Sequence, residues 1–182
     1  MKKLSNNFVK AAKPCGLFVV LYGTSMLETL IIVLITILDQ LSKYLVNLHL
    51  KDAAAIQVLP SVLSFRYHEN KGAAWGMLAD HRWVFMIIST IAIVAIIAYL
   101  VWTRKKQDSK LFRISLCFFA GGGIGNMIDR VALGYVIDFL RFDFIDFPIF
   151  NVADSFITVG AALMILNLIL EFISDLRRKK HG

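Results

Sequence analysis

The stretch from Leu111 to Leu133, LFRISLCFFAGGGIGNMIDRVAL, joins an apolar run long enough to cross a bilayer to a polar group at its end. That polar end contains Asn126, Asp129 and Arg130, whose spacings of three and four residues place them on one face of a helix. Ionisable side chains inside a membrane are costly unless they pair or face a wet cavity. The stretch therefore predicts a transmembrane helix whose polar face points into a bundle.

The composition of the whole chain also indicates a membrane protein. Of its 182 residues, 58% are hydrophobic and 18% are charged, and the mean hydropathy is +0.67, which is too apolar for a soluble domain. The net charge of +7 comes from short clusters beside apolar runs, so it indicates membrane topology and not a nucleic-acid surface. Cys15 and Cys117 lie far apart and suggest neither a disulfide nor a metal site.

Three other apolar runs have the length of a membrane span. They cover residues 30–48, 83–102 and 152–173, and a helix of about 20 residues crosses a bilayer once. With the run that ends at Leu133, they predict an all-α membrane protein with four transmembrane helices and no room for a second domain. The predicted membrane domain is 29–174, followed by a basic cytoplasmic tail at 175–182.

Basic clusters set the predicted orientation. By the positive-inside rule, both termini and the loop between the second and third spans are cytoplasmic, and residues 49–82 and 134–151 lie outside. The first outside segment carries Ile56–Leu59 and Val62–Tyr67, two short runs with a β-branched and aromatic bias. We expect a small extracytoplasmic β-hairpin or sheet there. The clusters are Lys2, Lys3, Lys10 and Lys13; Arg104, Lys105, Lys106 and Lys110; and Arg177, Arg178, Lys179 and Lys180.

The first 28 residues form an extension with more than one interpretation. The run Leu17–Leu21 is too short to span a membrane, and no convincing cleavage site follows it. The extension is either an interfacial helix or a segment of little consequence, and Met26 is an alternative natural start.

Polar residues of the first span lie at the same depth as those of the third. Asp39 and Lys43 are one helical turn apart and are expected toward the outer leaflet, as are Asn126 and Asp129. Asp39 and Lys43 form either a structural ion pair or part of a site. The polar face of the third span is either a hydrogen-bond network or a substrate-positioning surface. Gly121 and Gly125 on that span have the spacing that allows close helix packing.

Two carboxylates, Asp138 and Asp154, stand among apolar neighbours at the predicted outer boundary. If the fold brings them together, burial and mutual repulsion make double ionisation unfavourable, so the pair shares one proton, as in aspartic proteases. Paired or capping carboxylates are the alternative. The chain has no HExxH or GxSxG motif and no cysteine beside a histidine.

Five motifs occur in order on this topology, and together they resemble the lipoprotein signal peptidases (signal peptidase II). They are Asp39-Gln40-Leu41-Ser42-Lys43, Asn70-Lys71-Gly72-Ala73-Ala74-Trp75-Gly76, Gly125-Asn126-Met127-Ile128-Asp129-Arg130, Val136-Ile137-Asp138-Phe139 and Phe150-Asn151-Val152-Ala153-Asp154-Ser155. The resemblance covers residues 30–173. It implies that Asp138 and Asp154 are the catalytic aspartates. It assigns support of the site or substrate to Asp39, Lys43, Asn70, Gly72, Asn126, Arg130 and Asn151. Asp129 joins this set of candidates because it shares a helical face with Asn126.

The resemblance also implies a substrate and partners. The substrate is a bacterial prolipoprotein whose lipobox cysteine already carries diacylglycerol, and the cut falls just before that cysteine. The enzyme is expected in the cytoplasmic membrane as a monomer surrounded by membrane lipids, with its site near the outer leaflet. No cofactor or metal is required, and the cyclic peptide globomycin is the expected type of inhibitor.

Two other classes of protein compete with a peptidase. A small proton- or ion-coupled transporter subunit also places acids and amides inside the membrane. Against it, the polar groups stop at one leaflet and the two halves of the chain show no inverted repeat. A non-catalytic membrane scaffold is the third class, and it leaves the desolvated carboxylates without a purpose.

Overall fold

The structure is a computed structural model that describes residues 25–72, 82–106 and 108–181. Within these ranges the helices are α1 (Met26–Leu50), α2 (Arg82–Trp102), α3 (Lys110–Ala132) and α4 (Val152–His181). The strands are β1 (Ile56–Leu59), β2 (Leu63–Asn70) and β3 (Val136–Phe142). Residues 1–24 of the predicted extension and Trp75 lie outside the described residues.

Helix α3 is the centre of the bundle, since it packs against α1, α2 and α4. Its glycines make this packing close. A Cβ atom on Gly121 would lie 2.9 Å from the Cβ of Ile35 in α1, and one on Gly122 would lie 2.6 Å from the carbonyl oxygen of Ala153 in α4. The close packing predicted for the face of Gly121 is therefore present toward α1, and Gly122 adds a second close contact toward α4.

Three of the described helices, α1, α3 and α4, are long and apolar enough to cross a membrane. The apolar part of α2 is the shorter run Met86–Trp102, so the second of the four predicted spans stays a prediction. Large apolar side chains cover the outside of the bundle: Leu34 of α1 is 48% exposed, and Ile165 and Phe172 of α4 are 59% and 65% exposed. Such a surface suits contact with lipid.

Helix α1 begins at a capping motif, and α4 is longer than its apolar run. Ser25 and Glu28 form a reciprocal capping box at the start of α1, which satisfies two backbone groups there. Helix α4 continues to His181, so residues 175–181 of the predicted basic tail form its last turns.

The three strands form one antiparallel sheet in the order β1-β2-β3, which confirms the predicted small β element. The sequence interpretation did not include β3. Side chains alternate along a strand, and Ile137 and Phe139 of β3 pack with Val46 and Leu50 at the end of α1. The residue between them, Asp138, therefore points to the opposite face. We call this end of the bundle the sheet end.

We expect Gly122→Ala to destabilise the protein by about 1–3 kcal/mol relative to Gly123→Ala. Both changes remove a helical glycine, so the gain in helix propensity is shared. The new methyl group at 122 meets backbone 2.6 Å away, whereas at 123 it meets the flexible side chain of Ile93 at 3.1 Å. Thermal unfolding in detergent measures the difference. Equal melting temperatures for the two variants would contradict the close contact between α3 and α4.

Candidate active site

A buried ammonium group lies at the centre of the sheet end. Lys43 Nζ is 2.8 Å from Asp39 Oδ2 and 3.1 Å from Asp129 Oδ2, and it donates a hydrogen bond of 2.8 Å to Asn126 Oδ1. All four residues are buried. Of the two alternatives for Asp39 and Lys43, the ion pair is therefore present, and a second carboxylate comes from α3.

The two carboxylates also hold neighbouring elements in place. Asp39 Oδ1 accepts a hydrogen bond of 2.9 Å from the backbone nitrogen of Ala153, at the start of α4. Asp129 Oδ2 accepts one of 3.0 Å from the backbone nitrogen of Ile137, at the start of β3. Gln40 Nε2 donates to Asp129 Oδ1 over 2.9 Å. The cluster thus joins α1 and α3 to the two segments that carry the candidate catalytic aspartates.

Asn126 connects this cluster to Asp154. Its side-chain oxygen accepts from Lys43 and, over 3.0 Å, from Asn151 Nδ2. Its side-chain nitrogen donates 2.8 Å to Asp154 Oδ1. The amide therefore has its oxygen toward the ammonium group and its nitrogen toward the carboxylate.

Asn151 contacts both candidate aspartates. Asn151 Oδ1 accepts from the backbone nitrogen of Asp154 over 2.9 Å, and Asp154 Oδ2 accepts from the backbone nitrogen of Asn151 over 3.2 Å. This reciprocal pair caps the start of α4 in the manner of a capping box. Asn151 Nδ2 also donates 2.7 Å to Asp138 Oδ1. One buried amide thus bridges the strand that carries Asp138 and the helix that carries Asp154.

The second donor to Asp138 comes from the neighbouring strand. Asn70 Nδ2 donates 2.8 Å to Asp138 Oδ2, and the backbone nitrogen of Gly72 donates 3.0 Å to Asn70 Oδ1 and fixes that amide. Burial, followed by the charge of Asp154, raises the pKa of Asp138 to about 7, although the Asn70 and Asn151 donors act in the opposite direction. Burial and the neighbouring carboxylate thus favour the protonated form of Asp138.

Both aspartates line one cavity of about 610 Å³. Asn70, Gly72 and Arg130 also belong to its polar wall. Its apolar wall contains Phe142, Phe147, Pro148, Ile149, Phe150 and Val159. The rings of Phe142 and Phe150 lie 5.1 Å apart between centroids. The arrangement places two carboxyl groups beside a pocket with one polar and one aromatic side, which suits a peptide bond flanked by apolar groups.

Each site residue predicted from the sequence belongs to this network or lines the cavity. The sequence interpretation missed Gln40 and the aromatic wall. Gln40 directly follows Asp39 in the first of the five motifs, and this position could have identified it as a member of the site. The phenylalanines at 142, 144, 147 and 150 are unusually dense for a short connection, but only the fold shows that three of them line the cavity.

A second, largely buried polar cluster lies at the opposite end of the bundle, and the sequence interpretation missed it. Arg113 Nε donates 2.6 Å to Glu28 Oε1, and Arg113 Nη1 donates 3.1 Å to Asp108 Oδ2. Nη2 of Arg113 donates 3.0 Å to the carbonyl oxygen of Leu100. This arginine ties α1 and α2 to the start of α3.

Comparisons with known proteins agree on one family. A family model described as signal peptidase (SPase) II matches residues 31–170. The lipoprotein signal peptidase of Symbiobacterium thermophilum is 40% identical over 147 residues, which is 80% of this chain and 95% of that protein. The lipoprotein signal peptidase of Streptococcus thermophilus strain CNRZ 1066 is 45% identical over 131 residues, 72% of this chain and 84% of that protein.

Two solved structures share the fold. One is described as a bacterial membrane enzyme solved by the in meso method at 2.3 Å resolution; its TM-score is 0.74, with 33% identity over 81% of this chain and 90% of that chain. Another, with a similar description at 1.9 Å, has a TM-score of 0.70 and 34% identity over 79% of this chain and 93% of that chain.

The raised pKa of Asp138 predicts how stability depends on pH. Its folded-state pKa of about 7 lies above the ordinary value of 3.8, so unfolding releases a proton between these two values and stability falls as pH rises through this window. Asp138→Asn removes that loss. We expect the variant to gain up to about 4 kcal/mol of stability relative to wild type on going from about pH 4 to about pH 8. Thermal unfolding in detergent at the two pH values measures this gain. A difference between variant and wild type that does not change with pH would contradict the raised pKa.

Proposed function

The chain belongs to the signal peptidase II family, and we propose that it is a membrane aspartic endopeptidase that removes the signal peptide from diacylglyceryl-modified bacterial prolipoproteins. The proposed cut falls just before the lipidated cysteine. The observation that carries the proposal is the bridge from Asn151 to Asp138 and Asp154, two carboxyl groups that line the same cavity. The family match favours hydrolysis over the transporter alternative.

The proposed reaction needs one ionised and one protonated aspartate. The ionised carboxylate takes a proton from a water molecule as its oxygen attacks the carbonyl carbon before the lipidated cysteine. The protonated carboxyl group donates a hydrogen bond to the carbonyl oxygen as negative charge develops there. The carbon–nitrogen bond then breaks, and a carboxyl group passes a proton to the leaving amine. The products are a signal peptide with a new carboxyl terminus and a lipoprotein with a free amino group on its cysteine.

The membrane setting of the proposal follows from the exposed apolar helices and the family. A diacylglyceryl group holds its cysteine at the membrane surface, so the scissile bond lies at the depth of a site near one bundle end. We propose that the sheet end faces outside, with both termini in the cytoplasm, as the basic clusters predict. The protein then acts in the cytoplasmic membrane without lifting its substrate into water.

Other cavity residues have proposed roles in holding the substrate. Asn70 fixes Asp138, and the small Gly72 beside it leaves room for a peptide backbone. Arg130 is a cation on the polar wall, where it favours negative charge on either aspartate or on the developing oxyanion. No metal or organic cofactor enters the proposed reaction. Globomycin is proposed to occupy this cavity, and the enzyme is proposed to act as a monomer.

We expect Asp138→Asn and Asp154→Asn each to abolish cleavage, because an amide of nearly the same size cannot exchange the shared proton. The assay is incubation of purified protein with a diacylglyceryl-modified lipobox peptide, scored by mass spectrometry for cleavage before cysteine. Globomycin should compete with this peptide. Asp146→Asn, an exposed change in the same connection, is the control and should retain turnover. Appreciable cleavage by either dyad variant would remove that residue from the catalytic pair.

The proposed topology is tested separately. A reporter fused after Lys106 or Lys180 should be cytoplasmic, and one inserted near Asp52 or Phe147 should be outside. Labelling with a reagent that does not cross the membrane, compared in intact and opened cells, measures the side. The reverse pattern would place Asp138 and Asp154 on the side that lacks prolipoprotein substrates.

A further inference from the structure

We infer that Lys43 is a positioning residue for this reaction: acting through the Asn126 amide, it makes Asp154 the ionised member of the pair and leaves the shared proton on Asp138. The inference rests on the proposed function, and it deepens that function by giving each aspartate its role. Asp154 then takes the proton of the attacking water, and Asp138 donates to the carbonyl oxygen of the substrate.

The orientation of the Asn126 amide is the first step. An ammonium group can only donate hydrogen bonds, so the atom of Asn126 that lies 2.8 Å from Lys43 Nζ has to be the oxygen. The amide nitrogen then faces Asp154 Oδ1, also at 2.8 Å. This nitrogen can only donate, and a carboxylate accepts more strongly than a protonated carboxyl group. In the reversed orientation, the amide nitrogen would face the ammonium group, and the amide oxygen would face the carboxylate. Two donors would then meet at one contact and two acceptors at the other, so neither contact would be a hydrogen bond.

Two further features favour charge on Asp154. Asn151 Nδ2 donates 3.0 Å to the oxygen of Asn126 and supports the same amide orientation. Asp154 also lies in the first turn of α4, where the exposed backbone N–H groups of a helix favour negative charge. Asp138 lies in strand β3, outside that first turn, and its two side-chain amide donors are Asn70 and Asn151, whereas the side-chain amide donor of Asp154 is the one that binds Lys43.

Other charged groups act on both aspartates or on Lys43. Arg130 of α3 lines the cavity with both carboxyl groups and therefore attracts charge on either. Asp39 and Asp129 are ion-paired with Lys43, and each also accepts a backbone N–H. Among the described residues, the charged or titratable groups near the pair are Lys43 and Asp39 of α1, Asp129 and Arg130 of α3, and His68 of β2, which lies opposite Asp138 in the sheet register. The charge of Lys43 also acts on Asp138, but among these groups Lys43 is the one that reaches Asp154 through a single amide, that of Asn126.

Two side-chain amides report the two aspartates without any need for turnover. In protein labelled with ¹⁵N-asparagine, the NH₂ resonance of Asn126 follows Asp154, and that of Asn70 follows Asp138. Loss of a signal in Asn126→Ala or Asn70→Ala assigns it. We expect the Asn126 resonance of wild type to titrate at lower pH than the Asn70 resonance. The opposite order would give the proton to Asp154 and overturn the inference.

The role of Lys43 is tested with Lys43→Met combined with Asp129→Asn, which removes one positive and one negative charge and so keeps the net charge of the cluster. We expect the Asn126 midpoint, and the acidic limb of the pH profile of kcat/KM, to move up by about one to two pH units. Gln40→Leu is the matched control, because it disturbs the same cluster through Asp129 and does not touch Asn126. It should lower stability and leave the midpoint unchanged.

A third background separates an effect through the amide from a direct effect of charge. When Lys43→Met and Asp129→Asn are added to Asn126→Ala, we expect the acidic limb of the kcat/KM profile to stay at the pH that it has in Asn126→Ala alone. An equal movement with and without Asn126 would mean that Lys43 acts through space, and no movement in either background would make it a structural residue; both results overturn the inference. If wild type does not cleave the lipidated peptide, the proposed function fails, and the two resonance midpoints still decide the inference.

Discussion

The buried ammonium of Lys43 is the group on which the sheet end depends. A desolvated cation needs partners, and the close packing of α3 against α1 lets Asp39, Asp129 and Asn126 all reach it. Each carboxylate also accepts a backbone N–H, at the start of α4 or of β3. The positions of the two candidate catalytic aspartates therefore follow from contacts that begin at one side chain. Removal of one member of such a cluster leaves an uncompensated charge, which costs more than replacement of the whole cluster by apolar groups.

Much of this site is predictable because helices have a fixed period. The spacing between Asp39 and Lys43, and among the polar residues of α3, is enough to place each set on one face of a helix. Each predicted apolar run also coincides with one helix. The run at residues 111–133 matches α3, Lys110–Ala132, closely, whereas α4 continues to His181, beyond the predicted end at residue 173. Depth in the membrane then brings the polar faces together. These arguments need only local geometry and a bilayer of known thickness.

The features that the sequence did not predict all depend on distant partners. Strand β3 is short, and it is defined by its pairing with β2, a strand on the other side of two helices in the chain. The aromatic wall forms when Phe150 pairs by backbone hydrogen bonds with Leu140. The Arg113 cluster at the opposite end also depends on a distant contact, between Arg113 of α3 and Glu28 of α1. The guanidinium group of Arg113 donates to Glu28, Asp108 and the carbonyl oxygen of Leu100. The network around Lys43 differs, because it connects to two carboxyl groups that line a cavity. Burial of charge alone thus does not distinguish a structural cluster from a candidate site.

One wall of the cavity belongs to the outer surface of the bundle. Val159 of α4 lines the cavity and is 47% exposed, in a helix whose exposed apolar side chains suit lipid. Under the proposed function, a lipidated substrate would therefore reach the cavity by lateral diffusion within the bilayer. For such an enzyme, the concentration that sets the rate is the number of substrate molecules per unit area of membrane. Addition of lipid or detergent without substrate should then slow turnover by surface dilution, although the amount of substrate per volume of solution is unchanged.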